Sequence, residues 1–258
     1  MTQSFDIRQA TPAMVPEIQA LDVAAWGKES AASEEMIESR IKLNPFGNYV
    51  AVEKGTNRIV GSVFSLITDD KPIKTWLEST GNGTCKDVFN PFGEVMFGVN
   101  LAVLPDRQGM QAGFSLFTRA VSLVWIFGIK YGRMGARMPE FHKWSGLFAA
   151  EDYAHLYISD DEIFFVKNQE IRGTDFDPIK ALRDQNSQEK LSPSEWPIGP
   201  RRSLRQMKPL DGELAFFCSC VVRDRPVEIA GFLPDYFPSD TESEGHAVLL
   251  EWRNPDFD

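Results

Sequence analysis

Residues 94–115 read EVMFGVNLAVLPDRQGMQAGFS, and this segment decides how the chain folds. Its first part, 94–103, is apolar and strongly strand-like. Pro105 and Gly109 break the strand, and residues 111–127 then carry apolar side chains crowded enough for a mostly buried helix. A strand, a short turn and a helix start have a physical use. The first-turn amides lack acceptors inside the helix and point outward with the positive end of its dipole, so such a terminus binds phosphate. Small Gly109, Ala112 and Gly113 allow close approach of a diphosphate. The segment lacks the Walker lysine and the spacing of a dinucleotide fingerprint. A plain strand-turn-helix with no ligand is the competing reading, because glycine near a helix start is common.

Upstream, residues 5–10 alternate as a half-buried strand should, and Pro12 and Pro16 bracket the entry to a helix carrying Ile18, Leu21 and Ala25. Ser33 before Glu34 and Glu35 caps a second helix with Ile37 and Ile41 at helical spacing, ending before Asn44-Pro45. Residues 49–53 and 59–67, parted by Lys54-Gly55-Thr56-Asn57, read as a hairpin. Residues 71–92 hold no sustained period and form an excursion. Downstream, 129–137 returns as a strand stopped at Pro139, and 142–156 reads as a helix. Residues 174–212 are polar, proline-broken and irregular. Residues 214–222, 226–233 and 247–252 are strand candidates, the first two joined by Arg223-Asp224-Arg225. The expected whole is one domain over 1–258, elaborated near 71–92 and 174–212.

The chain has 258 residues, 43% hydrophobic and 25% charged, with a net charge of −10. That charge argues against nucleic acid as a partner, whose phosphates bind to clustered Lys and Arg, and equally against an acidic membrane surface. The local exception is Arg201, Arg202, Arg205 and Lys208, which reads as a solvated loop or as a dock for an acidic partner. No stretch reaches the length that spans a bilayer, and the start lacks a basic region followed by an apolar run. Cys85, Cys218 and Cys220 are an odd set without metal-ligand spacing, with Cys218 and Cys220 alternating along the 214–222 strand. Reduced thiols, a cytoplasmic location and no metal are expected. Oligomeric state is open.

The turn V103-L-P-D-R-Q-G-M-Q-A-G113 resembles the acyl-coenzyme A signature of the GCN5-related N-acetyltransferases (GNAT), V-x-P-x-x-R/Q-x-x-G-x-G/A, and Val103, Pro105, Gln108 and Gly113 match. Gln111 departs from it, standing where the middle glycine is usual. The order of elements around the turn is also the GNAT order. This resemblance implies an α+β fold: a central seven-stranded, mostly antiparallel mixed sheet, splayed at the acyl-CoA site and flanked by helices. It implies acetyl-CoA or another acyl-CoA as co-substrate, with pantetheine amides on the backbone of Leu101, Ala102 and Val103. The diphosphate is then cradled over Gln108, Gly109, Met110, Gln111, Ala112, Gly113 and Phe114.

A narrower likeness joins it. Arg137-Met138-Pro139-Glu140-Phe141-His142 is similar to R-I-P-G-Y-H of larger bacterial GNAT proteins, and Pro234-Asp235-Tyr236-Phe237-Pro238-Ser239-Asp240 with Leu249-Leu250-Glu251-Trp252 to their C-terminal strands. Those relatives resemble polyketide-synthase loading domains, some of which decarboxylate malonyl-CoA. The decarboxylating kind carries a histidine and an arginine where this chain has the 177–183 segment and Phe237, so decarboxylation is disfavoured.

Attack on a thioester needs a proton acceptor and a donor for the departing thiolate. Asn100, polar inside an apolar strand, reads as a group that orients the thioester carbonyl or a water, or as a hydrogen-bonded strand residue. His142 is a proton shuttle or a helix-start histidine. Tyr153 or Tyr157 is a thiolate proton donor or a core aromatic. Glu94 stands three residues nearer the strand start than the base the GNAT resemblance implies, so the pleat turns it to the opposite face, where it reads as a surface or structural carboxylate. Trp26 and Arg137 are candidates for the acceptor pocket. The expected reaction is acyl transfer, acetyl foremost, to a small amine or thiol. Transfer to a carrier-protein thiol and a non-catalytic acyl-CoA-binding module are the rival readings.

Overall fold

The computed structural model describes residues 5–108, 111–160, 162–174, 190–198 and 206–257. Gly109, Met110, the arginines of the basic cluster and the 177–183 segment lie outside them. The alternating start becomes β1 (Phe5–Gln9), and α1 (Val15–Trp26) follows with a proline in its first turn. Helix α2 (Glu34–Leu43) begins where Ser33 Oγ accepts the Met36 amide at 3.2 Å, and Glu34 and Glu35 sit at its positive end. Strands β2 (Tyr49–Glu53) and β3 (Ile59–Thr68) form the hairpin, with Asn57 in a left-handed conformation at its turn.

The chain after β3 contains the short helix α3 (Trp76–Ser79), fixed by a capping box between Thr75 and Glu78. Then come β4 (Val95–Val103), α4 (Ala112–Ile126) and β5 (Tyr131–Arg137). The main sheet has seven strands in the order β1-β2-β3-β4-β5-β13-β12, where β12 is Glu228–Leu233 and β13 is Ala247–Arg253. Pairing is antiparallel from β1 to β4 and parallel between β4 and β5. This is the expected seven-stranded α+β architecture.

The chain divides into two compact units. The first is Met1–Met134 with Cys220–Glu228 and Glu251–Asp258, and the second is Gly135–Ser219 with Ile229–Leu250. In the first, α4 buries Leu116, Phe117, Val121, Leu123 and Val124. Gly61 and Gly132 let it approach the sheet: a Cβ on Gly61 would lie 2.9 Å from Leu116, and one on Gly132 2.9 Å from Val124. The second unit holds a further sheet of four strands, β8-β7-β6-β9, built from β6 (Leu156–Ser159), β7 (Glu162–Lys167), β8 (Glu170–Gly173) and β9 (Lys208–Pro209).

Two sequence expectations fail. Residues 214–222 are not a strand: α6 (Gly212–Cys218) occupies most of them, because Asp211 accepts the amides of Glu213 (2.9 Å) and Leu214 (3.2 Å) as an N-cap. The capping signal wins over the apparent alternation, so Cys218 ends a helix while buried Cys220 lies 3.5 Å from Thr118 Oγ1. The expected 226–233 strand is present as β12, and before it β10 (Val221–Val222) and β11 (Arg225–Pro226) form a tight hairpin whose turn residues Arg223 and Asp224 both have positive φ. Finally, 142–156 is not one helix. It holds a 3-10 turn at Phe141–Lys143 and α5 (Ala150–Ala154), and its aromatic residues pack as core: the rings of Phe141 and Trp144 lie 5.3 and 6.4 Å from Tyr153. The sheet over 156–173 gave no signal as such, since its strands are short.

Candidate active site

Strand β4 carries the site. Its antiparallel register to β3 slips between Phe64 and Ser65, which face Asn100 and Gly98, so Val99 is an extra residue without a partner across the ladder. The parallel pairing of β4 with β5 runs from Val95/Tyr131 to Gly98/Met134, ending at this bulge. On the β3 side, buried Asn48 and Asn44 extend the ladder with side chains: Asn48 Oδ1 accepts the Ser65 amide at 3.1 Å, and Asn44 Nδ2 donates to the Ser65 carbonyl at 2.9 Å. Asn48 Nδ2 also donates to the carbonyls of Arg40 and Asn44, which accept the Asn44 and Gly47 amides at the end of α2 as well. On the other side the Trp76 indole N–H donates to the Val99 carbonyl at 2.9 Å.

Asn100 projects beside the bulge, and its Nδ2 donates to Asp22 Oδ1 at 2.8 Å. Asp22 Oδ2 accepts the Ala32 amide at 3.2 Å, and Asp22 is only 1% exposed. Burial pushes its carboxyl above the usual carboxylate range, opposed by these hydrogen bonds and by the Arg40 charge. Arg40 is buried as well, and its Nε donates to the Gly83 carbonyl at 2.7 Å. Among the described residues its terminal nitrogens find no acceptor. Its charge faces the rings of Phe64 and Trp76 at 5.7 and 5.9 Å instead. Burial lowers its pKa, with Cys85 and Asp22 opposing, and burial raises the Cys85 thiol to about 11, so that thiol is inert. Asp22, Arg40 and Trp76 were not picked out by sequence reading.

After β4, a 3-10 turn (Pro105–Arg107) leads to the helix. Arg107 Nε donates to Glu53 Oε1 at 2.9 Å, tying this turn to β2. Gln111 is the N-cap of α4 and lies in the left-handed region, φ 63°, giving no side-chain cap. The position thus adopts the conformation that glycine favours, at a cost of about 1 kcal/mol for a residue with a Cβ. The Ser115 amide makes the first bond of the helix, to the Gln111 carbonyl at 3.0 Å. Ala112 and Gly113 precede it, so their amides have no acceptor within the helix. Phe114 is exposed on the first turn. Leu101 and Val103 are half-buried and Ala102 is buried along β4, Gln108 is exposed, and Trp26 is partly buried where α1 ends. A cleft beside the first half of β4 is lined by Val95, Phe97, Arg133 and the excursion residues Lys71, Ile73 and Glu78.

In the second unit, Arg137 is gripped by acids. Its Nε and Nη2 donate to Asp240 at 2.7 and 2.9 Å, and Nη2 to Glu242 at 2.6 Å. The His142 amide bonds the Glu242 carbonyl, and the Met138 amide bonds Ser243 Oγ. The two distinctive sequence motifs, 137–142 and 234–240, therefore meet. His142 is exposed, and its Nδ1 donates to the Pro139 carbonyl at 2.9 Å, leaving Nε2 as the basic nitrogen of the neutral ring. Tyr153 is buried, and its hydroxyl donates to Asp211 at 3.3 Å. Burial first, then the charges of Asp211 and Glu140, push the phenol well above its ordinary value.

Glu213, whose carboxylate accepts the Arg137 amide at 3.3 Å, is raised from 4.5 to about 7. Burial of the carboxyl is the main cause, and it outweighs the attraction of Arg137. Because the folded pKa exceeds the unfolded one, the protonated group stabilises the fold below about pH 4.5, and this is lost as pH rises towards about 7. Glu213→Gln keeps an acceptor and removes the charge. Its melting temperature should therefore fall less than that of the wild type between about pH 5 and about pH 8, and equal falls in scanning calorimetry would refute the assignment.

Among the described residues no group of three or more His, Cys, Asp or Glu side chains could hold a metal ion, and no helix is long and apolar enough to cross a membrane. No family model matches the chain. Over 236 residues it is 24% identical to a protein of Bacillus subtilis named probable hydrolase YhcX, covering 90% of this chain and 35% of that one. Over 124 residues it is 30% identical to the uncharacterized N-acetyltransferase YkwB of the same species, covering 47% and 54%. The chain thus spans about a third and about half the length of these relatives. Among solved structures, the loading GNATL domain of CurA from Lyngbya majuscula superposes with a TM-score of 0.67 at 16% identity, covering 96% of this chain and 97% of that one. The GphF GNAT-like decarboxylase in complex with isobutyryl-CoA gives 0.62 at 19% identity, covering 96% and 98%. The bulged strand, the turn after it and the helix that follows belong to a chain with the GNAT fold.

Proposed function

We propose that this chain is an acyltransferase that moves an acyl group, acetyl foremost, from acyl-CoA to an amine or thiol acceptor. The observation that carries the reading is the bulge at Val99 followed by an uncapped α4 whose N-cap, Gln111, holds the left-handed conformation of a phosphate-binding turn. The amides of Ala112 and Gly113, with Gln108 and Gln111 before them and Phe114 after, donate to the diphosphate. The backbone of Leu101, Ala102 and Val103 pairs with the pantetheine. Buried Asp22 takes one Asn100 amide hydrogen, which fixes the side chain so that its second hydrogen faces the thioester carbonyl.

The acceptor approaches by the cleft beside Val95 and Phe97, two residues along β4 from the bulge. His142 lies in the second unit, and no step at β4 is assigned to it. Tyr153, in the same unit, has its hydroxyl held by Asp211 and its acidity suppressed, so no proton donation is assigned to it. Arg137, held by Asp240 and Glu242, ties the 137–142 segment to residues 240–243 within the second unit. Phe237 packs edge-on against Tyr236 at 4.6 Å and has no charge to offer a carboxylate, which favours transfer over decarboxylation. The likeness to a loading domain makes carrier-protein thiols worth including among acceptors.

Titration calorimetry with CoA and acetyl-CoA tests the first half of the reading, and a micromolar Kd is the expected result. Thiol-reactive detection of CoA release with a panel of small amines, small thiols and a phosphopantetheinylated carrier domain tests the second. Absence of any association with CoA would sink the proposal. Tight binding without turnover for every acceptor would leave a non-catalytic binding module instead.

A further inference from the structure

The excursion between β3 and β4 does more than fill surface. Its anchors converge on one tryptophan. Thr75 and Glu78 cap α3 so that Trp76 begins it. The Ser39 hydroxyl donates to the Thr84 carbonyl at 2.7 Å, and Arg40 Nε to that of Gly83. Gly83, at φ +77°, brings the chain so close that a Cβ there would lie 3.2 Å from the Trp76 ring and 3.3 Å from Arg40 Nη2. The Arg40 guanidinium then lies against the ring. From this seat the indole N–H reaches the carbonyl of Val99, the one residue of β4 that the β3 register leaves out.

We infer that Trp76 is a positioning residue for the acyl end of the site, setting the orientation of the Val99–Asn100 peptide. A peptide unit is planar, so its C=O and N–H point in opposite directions, and a bond that fixes the Val99 carbonyl fixes the Asn100 amide as well. A bulge residue has no ladder partner to do this, and Val99 is buried from water. Under the acyl-transfer reading above, on which this inference rests, the pantetheine runs along residues 101–103 from the diphosphate at α4, so the next peptide up the strand meets the acyl group. Trp76 acts there through the backbone and touches no reacting atom.

The test is Trp76→Phe, which keeps the ring and deletes the N–H, with Leu77→Ala on the exposed side of the same helix as control. Hydrogen exchange read by mass spectrometry should show residues 95–103 exchanging about three- to tenfold faster in Trp76→Phe, as expected for one lost hydrogen bond, and unchanged in the control. By calorimetry CoA should bind within about twofold of wild type while acetyl-CoA weakens about three- to tenfold. Should Trp76→Phe fail to fold, Thr75→Ala, which removes the capping box on a partly exposed turn, gives the same pattern at smaller amplitude. Unchanged exchange over 95–103 overturns the inference, and so does equal weakening of CoA and acetyl-CoA, which marks a merely structural role. If the wild type binds neither ligand, the acyl-transfer reading falls and takes the acyl-end role with it, while the exchange data still report separately whether Trp76 holds the bulge.

Discussion

Asp22→Ala should lower the melting temperature by about 6 to 20 °C, from a loss of about 3 to 5 kcal/mol at about 2 to 4 °C per kcal/mol for a chain of this size. The carboxylate is 1% exposed and serves three groups at once. It accepts from Ala32 and Asn100, and its field meets the buried Arg40 guanidinium. Truncation leaves two donors without acceptors and a buried cation without its anion, which costs far more than the pair contributes over an apolar replacement. The double variant Asp22→Leu with Arg40→Met should regain the part of the loss owed to the unpaired cation, because it removes both charges together, while the Ala32 and Asn100 donors stay without acceptors. A fall of less than about 3 °C for Asp22→Ala would show that the cluster is solvated, contrary to its burial.

The second large effect separates binding from folding. In Gly113→Asp a carboxylate enters the first turn of α4, where the helix dipole favours it by about 0.3 to 1 kcal/mol, so thermal stability should hold. The same charge about 5 Å from a bound diphosphate repels it by about 3 kcal/mol at an effective dielectric of about 20, and CoA affinity should fall about 100-fold. Raising the salt should recover part of that loss, since the site is at the surface. Calorimetry of the variant at low and high salt, beside its melting curve, reads all three. Undiminished CoA affinity would move the diphosphate away from this helix.

How much of this was legible beforehand depends on how local each signal is. Ser33 as a cap, the break at Pro105 and the run of apolar residues in β4 act within a few positions, and the elements they define appear as read. Asp211 gives an equally local capping signal, but the apolar residues after it also fit a period of two, so spacing alone does not separate helix from strand there. Asp22 and Arg40 were legible in part: each stands on the apolar stripe of its helix, Asp22 four residues after Ile18 and Arg40 three after Ile37. A charge on such a stripe signals burial with a partner. The partner itself was not legible, because Asn100 is 78 positions from Asp22.

The motif around Arg137 teaches the same lesson. Its residues stood out in the sequence as a candidate pocket, yet the guanidinium is spent on Asp240 and Glu242, more than a hundred positions away. Hydropathy period, caps and breakers act along the chain, and they mark most of the strands and the strand-turn-helix over 94–127, while the seven-stranded plan follows from the resemblance to the GNAT signature. Which polar side chains meet was decided only when the sheet brought distant segments together, since a buried hydrogen bond depends on position in space and leaves no trace in spacing. That is why the break at Pro105 shows in the sequence, whereas the hold of Trp76 on Val99 does not.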